Sequence, residues 1–249
     1  MTRDSFRVHG SPMYIDVAQD AAGEYFEIES TSRINLSISD MQPRARHLVL
    51  RAWNSDGDVT FLCGHDEMHW FVAGLPENCQ ARTVAEAKEA LKPDLVVRKE
   101  RRKGGKRRRK SDVFLRQGEW FFVPCPDAGI DEGAVLRDAP LTRAAGSKPH
   151  TCQFLYLDGE REYECSRYPK LVFSESEYRE LLRTRRKAKQ WNWRPMPFEP
   201  DMYARGWITH ADHHPMFLDV WHRVEMNTER QDAVGTLRQR PLARIAFRD

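Results

Sequence analysis

Short stretches of alternating apolar and polar residues recur along the chain and predict β-strands. In the N-terminal part FRVHG, MYIDV and EYFEIES are aromatic and β-branched and are separated by turn sequences. HLVLRAW and VTFLCG flank NSDGD, which predicts a hairpin because an Asp-Gly pair tolerates positive φ. The C-terminal part continues with VFLRQGEWFFVPCP, YARGWIT and MFLDVWHRVEM, with LARIAF as a further candidate. HTCQFLYLDGEREYEC predicts a second hairpin that turns at Asp158-Gly159.

Two segments follow the helical pattern instead. TVAEAKEALKP places Thr83 and Glu86 in capping-box spacing and stops before Pro93. Ser174 and Glu177 repeat that spacing at the start of a helix that we expect to run to about Gln190. The predicted fold class is therefore α+β, mainly β, with many short antiparallel strands and two helices.

The charge distribution divides the chain. RKERRKGGKRRRK, residues 98 to 110, contains ten basic residues and one glutamate, a local net charge of +9. Because the whole chain has a net charge of +3, the remainder has about −6. Like-charge repulsion and the lack of apolar positions predict a mobile linker. We expect an N-terminal β-rich domain at 1–97 that ends in a short helix, a basic linker at 98–112, and a C-terminal β-rich domain at 113–249 with one inserted helix.

A cationic segment of this kind is typical of polyanion binding, because arginine pairs with phosphates and counterion release drives association. In the second predicted helix several cations fall on one stripe, and RKAKQWNW brings Trp191 and Trp193 beside further cations, a combination that stacks on unpaired bases. Core packing is the alternative role for these tryptophans. The candidate nucleic-acid-binding residues are Arg98, Lys99, Arg101, Arg102, Lys103, Lys106, Arg107, Arg108, Arg109, Lys110, Arg179, Arg183, Arg186 and Lys187.

Histidines concentrate in THADHHPMFLDVWHRVEMN, residues 209 to 227. On a strand, His222 shares a face with apolar residues, which predicts a core histidine bonded to backbone. His210 and His213 lie in the preceding turn and, with His150 as a remote ligand, form a candidate site for a divalent metal, zinc first. The alternative is a polar surface turn that holds no metal. GHDEMHW has histidines at i and i+4, but its Glu is displaced from the zincin position, which favours a turn.

The stretches LRQGEWFFVPCP, GSKPH and THADHHPMFL resemble, in that order, elements of an uncharacterised group of small bacterial and phage proteins. That group has Arg-Gln-Gly-Asp, Gly-His-x-His and Thr-His-Glu-Glu-His. Gln117, Gly118, His150, His210 and His213 match it, whereas Glu119 replaces Asp and Lys148 replaces the first His. The resemblance implies that the three histidines converge in a β-rich core, and it brings no function with it.

Other classes of function lack support. No apolar run approaches the roughly 20 residues that span a bilayer, and the N-terminus has no apolar core of a secretory signal, so we expect a cytoplasmic protein without a membrane partner. Five scattered cysteines argue against a disulfide framework.

Three hypotheses for the function remain. The first is a protein that binds RNA or single-stranded nucleic acid, and the second is a metal-dependent hydrolase or nuclease with Asp212 as fourth ligand or base. The third is a non-enzymatic ribonucleoprotein subunit with protein partners.

Overall fold

Antiparallel strands form most of the secondary structure of this chain. The computed structural model describes residues 4–8, 11–30, 33–66, 69–77, 79–102, 113–143, 148–196, 200–230 and 240–246. The strands are β1 (Asp4–Val8), β2 (Ser11–Asp20), β3 (Gly23–Ser30), β4 (Asn35–Gln42), β5 (His47–Asn54), β6 (Gly57–His65), β7 (Trp70–Gly74), β8 (Leu115–Gln117), β9 (Trp120–Pro124), β10 (Leu136–Leu141), β11 (His150–Asp158), β12 (Glu162–Cys165), β13 (Val172–Ser174), β14 (Trp193–Pro195), β15 (Asp201–His210), β16 (His213–Met226) and β17 (Arg240–Ala246). The helices within these ranges are α1 (Val84–Ala90), α2 (Asp94–Arg102) and α3 (Glu175–Thr184). The α+β, mainly β class is confirmed, with one helix more than predicted.

The N-terminal part is a two-sheet sandwich. One sheet has the order β1-β2-β3-β17 and the other β4-β5-β6-β7. Ile15 and Phe26 from the first sheet share a core with Leu50 and Phe61 from the second. The predicted hairpin is β5-β6, which pairs Asn54 with Gly57. Helix α1 packs on the other face of the second sheet, and its predicted capping box is present.

The C-terminal part is built on a six-stranded sheet of order β10-β11-β15-β16-β9-β8. Trp120 and Phe122 on β9 join one core cluster with Leu141 on β10 and Cys152 on β11. These strands are far apart in the strand order, so the sheet curls around that core. We call the side of the sheet that faces this cluster its core face and the opposite side its outer face.

Helix α2 covers the outer face of β9 and includes the start of the segment that was predicted to be a linker. Val96 is fully buried and packs against Phe121 and Val123. Lys99 donates from Nζ to the carbonyl of Pro124 at 2.6 Å. The first five residues of the basic run, 98–102, are therefore the end of a helix and not a linker. Few apolar residues mark this helix, because only a narrow stripe touches the sheet. Residues 103–112 lie outside the described ranges, so the rest of the linker remains a prediction.

A small unit is inserted between β11 and β15. Strands β13-β12-β14 form a separate sheet, on which α3 and a 3₁₀ turn at Arg186–Gln190 pack. The predicted hairpin at Asp158-Gly159 is wrong, because β11 pairs with β10 and β15 while β12 pairs with β13 and β14. The second capping box is present at Ser174 and Glu177, but the helix ends at Thr184 and does not reach Gln190. The aromatic rings of the insert pack mainly on one another.

The last described strand, β17, does not belong with the rest of the predicted domain at 113–249. β17 pairs with β3, so the chain returns to the N-terminal sandwich and completes its first sheet. A boundary that assigns all residues after 113 to one domain is therefore wrong for 240–246. Among the described residues, no helix has the length and apolar character needed to cross a membrane.

Candidate metal centre

Three strand ends of the six-stranded sheet bring three histidines together. His150 begins β11, His210 ends β15, and His213 begins β16. A two-residue turn joins β15 to β16 and pairs His210 with His213. Because β11 pairs with β15, His150 lies beside this hairpin tip. The expected convergence of the three histidines is thus present, and we call them the histidine triad.

The triad is compact. One ligand atom from each ring lies within 4.8 Å of the others, and these three are the residues that group in this way in the described part of the chain. The ring centroids of His150 and His210 are 4.2 Å apart, and those of His150 and His213 are 5.6 Å apart. Tetrahedral zinc with bonds of about 2.1 Å sets its ligand nitrogens roughly 3.4 Å apart. The rings are stacked rather than convergent, so metal binding requires them to rotate inward.

His150 is the most unusual member of the triad. Its side chain is 1% exposed, and neither ring nitrogen finds a hydrogen-bond partner among the described residues. Burial, helped by the two neighbouring histidines, lowers the pKa of His150 to about 3. The ring is therefore neutral at physiological pH, which is the form that coordinates metals. Leaving a buried polar group without a partner costs roughly 1–3 kcal/mol, and a metal bond would remove part of that cost.

Gly118 leaves open the space beside the triad. It is the first residue of the two-residue turn between β8 and β9, with φ of +57°. That is the turn position at which type II′ hairpins take glycine. A Cβ at this residue would lie 2.9 Å from Nε2 of His213 and 3.7 Å from Nε2 of His150. Gln117 holds the turn against the hairpin by donating from Nε2 to the carbonyl of His214 at 2.6 Å.

Backbone contacts select the tautomer of the neutral His210 ring. The amide of Asp212 donates to its Nδ1 at 3.1 Å, and its Nε2 lies 3.3 Å from the carbonyl of Lys148. A neutral imidazole has a single proton, so this arrangement assigns the proton to Nε2. A metal at Nε2 would move the proton to Nδ1, and the Asp212 amide would then lose its acceptor. Metal binding at this ring therefore changes the hairpin turn.

Asp212 is not part of the triad in the described structure. Its carboxylate accepts from Lys148 Nζ at 2.7 Å and lies 3.4 Å from Nε2 of His69. The hydrogen bond from Lys148 lowers the pKa of Asp212. Lys148 thus holds the Asp212 carboxylate in an ion pair at the edge of the triad.

The structure agrees with the predictions for His222 and for GHDEMHW. His222 is 2% exposed and its Nδ1 lies 2.7 Å from the carbonyl of Val220, so the core histidine is confirmed. In GHDEMHW the amide of His69 donates to Asp66 at 3.3 Å, which is turn chemistry. Burial raises the pKa of the Cys152 thiol to about 12, so this thiol is protonated and a poor nucleophile at neutral pH.

The predicted nucleic-acid-binding residues that the structure describes lie in α2, in α3 and in the 3₁₀ turn that follows α3. Arg98, Lys99, Arg101 and Arg102 lie in α2, whereas Lys103, Lys106, Arg107, Arg108, Arg109 and Lys110 lie outside the described residues. In α3, Arg179 pairs with Glu175 and Arg183 with Glu180, both within the helix. Arg186 and Lys187 follow in the 3₁₀ turn. The expected stripe is therefore partly neutralised by its own helix.

The two tryptophans of the insert pack inside it. Trp193 donates from Nε1 to the carbonyl of Ala188 at 2.9 Å and lies 4.9 Å from the ring of Tyr178. Trp191 meets Tyr168 at 5.5 Å between ring centroids. These rings are half-buried in a shared aromatic cluster, in agreement with the packing alternative.

Some polar residues around the Gly118 turn escaped the sequence reasoning. Arg116 donates from Nε to the carbonyl of Gly118 at 2.8 Å. Burial lowers the pKa of Arg116, and the negative charges of Asp66, Glu119 and Glu229 oppose that shift. Burial raises the pKa of Glu229, which pairs with Arg143. No local motif marks these residues, because they come from distant parts of the chain and meet only in the fold.

Comparisons with models of known families, with curated proteins and with solved structures find nothing that matches this chain. The resemblance to the bacterial and phage group consequently remains a prediction, and the function must be argued from the site alone.

Proposed function

We propose that this protein is a metal-dependent enzyme of the hydrolase class, with a divalent transition metal held by His150, His210 and His213. The observation behind the proposal is His150, which is buried, neutral and without a hydrogen-bond partner for either ring nitrogen among the described residues. A buried imidazole that makes no hydrogen bond is costly in a core, and coordination explains why one is retained there. Gly118 adds support, since its missing side chain leaves room at two of the three rings.

The ligand set favours zinc chemistry. Three neutral imidazoles suit zinc, and three protein ligands leave a coordination position open in a tetrahedral site, as in catalytic rather than structural zinc sites. A metal in such a site supplies Lewis acidity and activates water for hydrolysis. The residues of the chain then hold and orient the site. Gln117 ties the Gly118 turn to the hairpin, and Lys148 keeps Asp212 ionised at the rim.

Metal analysis tests the proposal directly. Purified protein, loaded with zinc and dialysed, should hold close to one zinc per chain, and His150→Ala, His210→Ala and His213→Ala should each reduce that content. His222→Ala is the matched control, because it removes a histidine that is equally buried but outside the triad. The loaded protein should also hydrolyse an activated ester or phosphodiester and stop when a chelator is added. Zinc content unaffected by the triad substitutions would refute the proposal.

Nucleic-acid binding is the second proposed function. It is supported by the basic run, ten cations in residues 98–110, whose first four extend from the end of α2. Replacing residues 103–110 with Gly and Ser removes six cations and spares the helix. Each phosphate contact with a single strand contributes about −0.7 to the slope of log affinity against log salt. The variant should therefore flatten the slope by up to roughly 4 while the melting temperature stays unchanged, and an unaltered slope would remove residues 103–110 from binding.

A further inference from the structure

The outer face of the six-stranded sheet has an unusual composition. Directly paired residues share a face, so the strand register assigns side chains to it. The pairs on this face that involve aromatic or arginine residues are Arg137 with Phe154, Phe154 with Arg205, Tyr156 with Tyr203, Tyr203 with Arg223, and Trp207 with Phe217. Aromatic rings and guanidinium groups thus neighbour one another across four adjacent strands, β10, β11, β15 and β16. We call this area the aromatic–arginine face.

Two of its rings are open to solvent. Trp207 is 49% exposed and Phe217 is 53% exposed, and their ring centroids lie 5.1 Å apart across the β15-β16 hairpin. Helix α2 covers the neighbouring part of the same outer face over Phe121 and Val123. Exposed paired rings on a sheet face are typical of surfaces that bind flat ligands by stacking.

The arginines are arranged to meet anions. Arg205 lies 5.4 Å from the ring centroid of Phe154 and 4.7 Å from that of Trp221, and Arg137 lies 5.2 Å from Phe154. Stacking on rings fixes a guanidinium and leaves its N–H edge for phosphate oxygens. The ion pair of Arg205 with Glu132 is long, at 3.8 Å, whereas Arg223 forms a close ion pair with Asp201 at 2.6 Å. Arg137 and Arg205 are accordingly the phosphate-pairing candidates of this face.

The cationic end of α2 lies on the same side of the sheet. Val96 packs on the outer-face residues Phe121 and Val123, and Lys99 is anchored to Pro124 on the same strand. Arg98, Arg101 and Arg102 are exposed in the last turns of this helix. A ligand on the aromatic–arginine face would therefore lie beside a cationic flank. Protein interfaces also use tryptophan and arginine, but this flank favours a polyanion.

We propose that the aromatic–arginine face binds unpaired nucleotides, with bases stacked on Trp207 and Phe217 and phosphates paired with Arg137 and Arg205. The inference rests on the second proposed function, nucleic-acid binding, and adds to it the site and the preference for single strands. Duplexes are disfavoured because stacking on a flat sheet face needs bases that are already unstacked from their neighbours.

The test measures anisotropy of a labelled oligothymidylate of about 15 nucleotides, a length within the usual range for such surfaces. The protein is kept in chelator, so that metal chemistry does not contribute. Trp207→Ala and Phe217→Ala should each weaken binding by roughly 5- to 150-fold, the range for loss of one base–ring stack. Trp207→Phe should restore most of the affinity, and a duplex of equal length should bind more weakly than the single strand.

Leu136→Ala is the matched control. Leu136 is 46% exposed on β10 of the same sheet, but it pairs with the core residue Leu155 and so points to the core face. Melting temperatures of all variants should agree, since each substituted residue is about half exposed to solvent. If Trp207→Ala and Phe217→Ala bind like Leu136→Ala, the face is not the site, while nucleic-acid binding stands. If the wild type binds neither strand nor duplex, both proposals fail.

Discussion

Gly118→Ala is the sharpest perturbation of the proposed metal centre, because it adds one carbon at a known place. The new Cβ would lie 2.9 Å from Nε2 of His213, whereas ordinary contacts begin near 3.4 Å. His213 must then move by about 0.5 Å. Metal binding needs His213 to rotate inward and to place its nitrogen within about 0.2 Å of the ideal distance, so the added carbon should hinder coordination at this ring.

The magnitude follows from two separate effects. An L-residue in the left-handed region costs roughly 1–2 kcal/mol, which lowers the free energy of unfolding with or without metal. Disturbing the support of one ligand lowers metal affinity by roughly 10- to 100-fold. At a zinc concentration far above the wild-type Kd, each tenfold loss of affinity removes about 1.4 kcal/mol of zinc-dependent stabilisation.

Gly23→Ala separates the two effects. Gly23 has φ of +121°, and nothing lies within 4 Å of the place where its Cβ would stand. It should cost backbone strain on the order of 1–3 kcal/mol and leave zinc affinity at the wild-type value. Zinc affinity is measured by competition with a chromophoric chelator, and stability by urea unfolding with and without zinc. If Gly118→Ala binds zinc as tightly as Gly23→Ala, the claim that Gly118 makes room for a metal is refuted.

Three further predictions concern the triad and the cysteines. In metal-free protein the folded-state pKa of His150 is about 3, below the usual value of 6.5, so the unfolded chain binds the extra proton; the free energy of unfolding should fall by up to about 5 kcal/mol between pH 6.5 and 3, and His150→Gln should flatten that decline. Native protein should react with an alkylating reagent at the partly exposed Cys79 and Cys125 before the buried Cys63, Cys152 and Cys165, as peptide mapping would reveal. Zinc binding should speed hydrogen exchange at the Asp212 amide, because protonation of His210 Nδ1 removes its acceptor; slower exchange there would show that His210 does not coordinate through Nε2.

Local patterns were enough to predict most of the strands, both capping boxes and the buried His222, but not β4 or β10. Thr83 and Glu86, for example, satisfy each other within one turn, so their role does not depend on distant residues. The triad was partly predictable as well. His210 and His213 share one turn, and His150 was already a candidate remote ligand, which the resemblance also matched.

What the sequence did not reveal depends on contacts between distant segments. Helix α2 buries one valine on a strand some 25 residues later, so its own pattern resembles a solvated charge run. β17 pairs with β3 across most of the chain, and no turn signal announces such a pairing. The role of Gly118 is visible only when His150 and His213, from two other strands, stand beside it.

The β15-β16 hairpin carries residues of both proposed sites, because the side chains of successive β15 residues point to opposite faces of the sheet. Ile208 belongs to the core cluster on the inward face, whose line of residues ends at His210, while Trp207 points outward. A nucleotide on the aromatic–arginine face is thus separated from the triad by the sheet itself. A nuclease mechanism that uses both sites needs the bound nucleic acid to pass around the hairpin tip, where Asp212 and Lys148 lie. If Trp207→Ala keeps its metal but no longer cleaves nucleic acid, that path is supported. If the wild-type protein cleaves small esters but not nucleic acid, the two faces act independently.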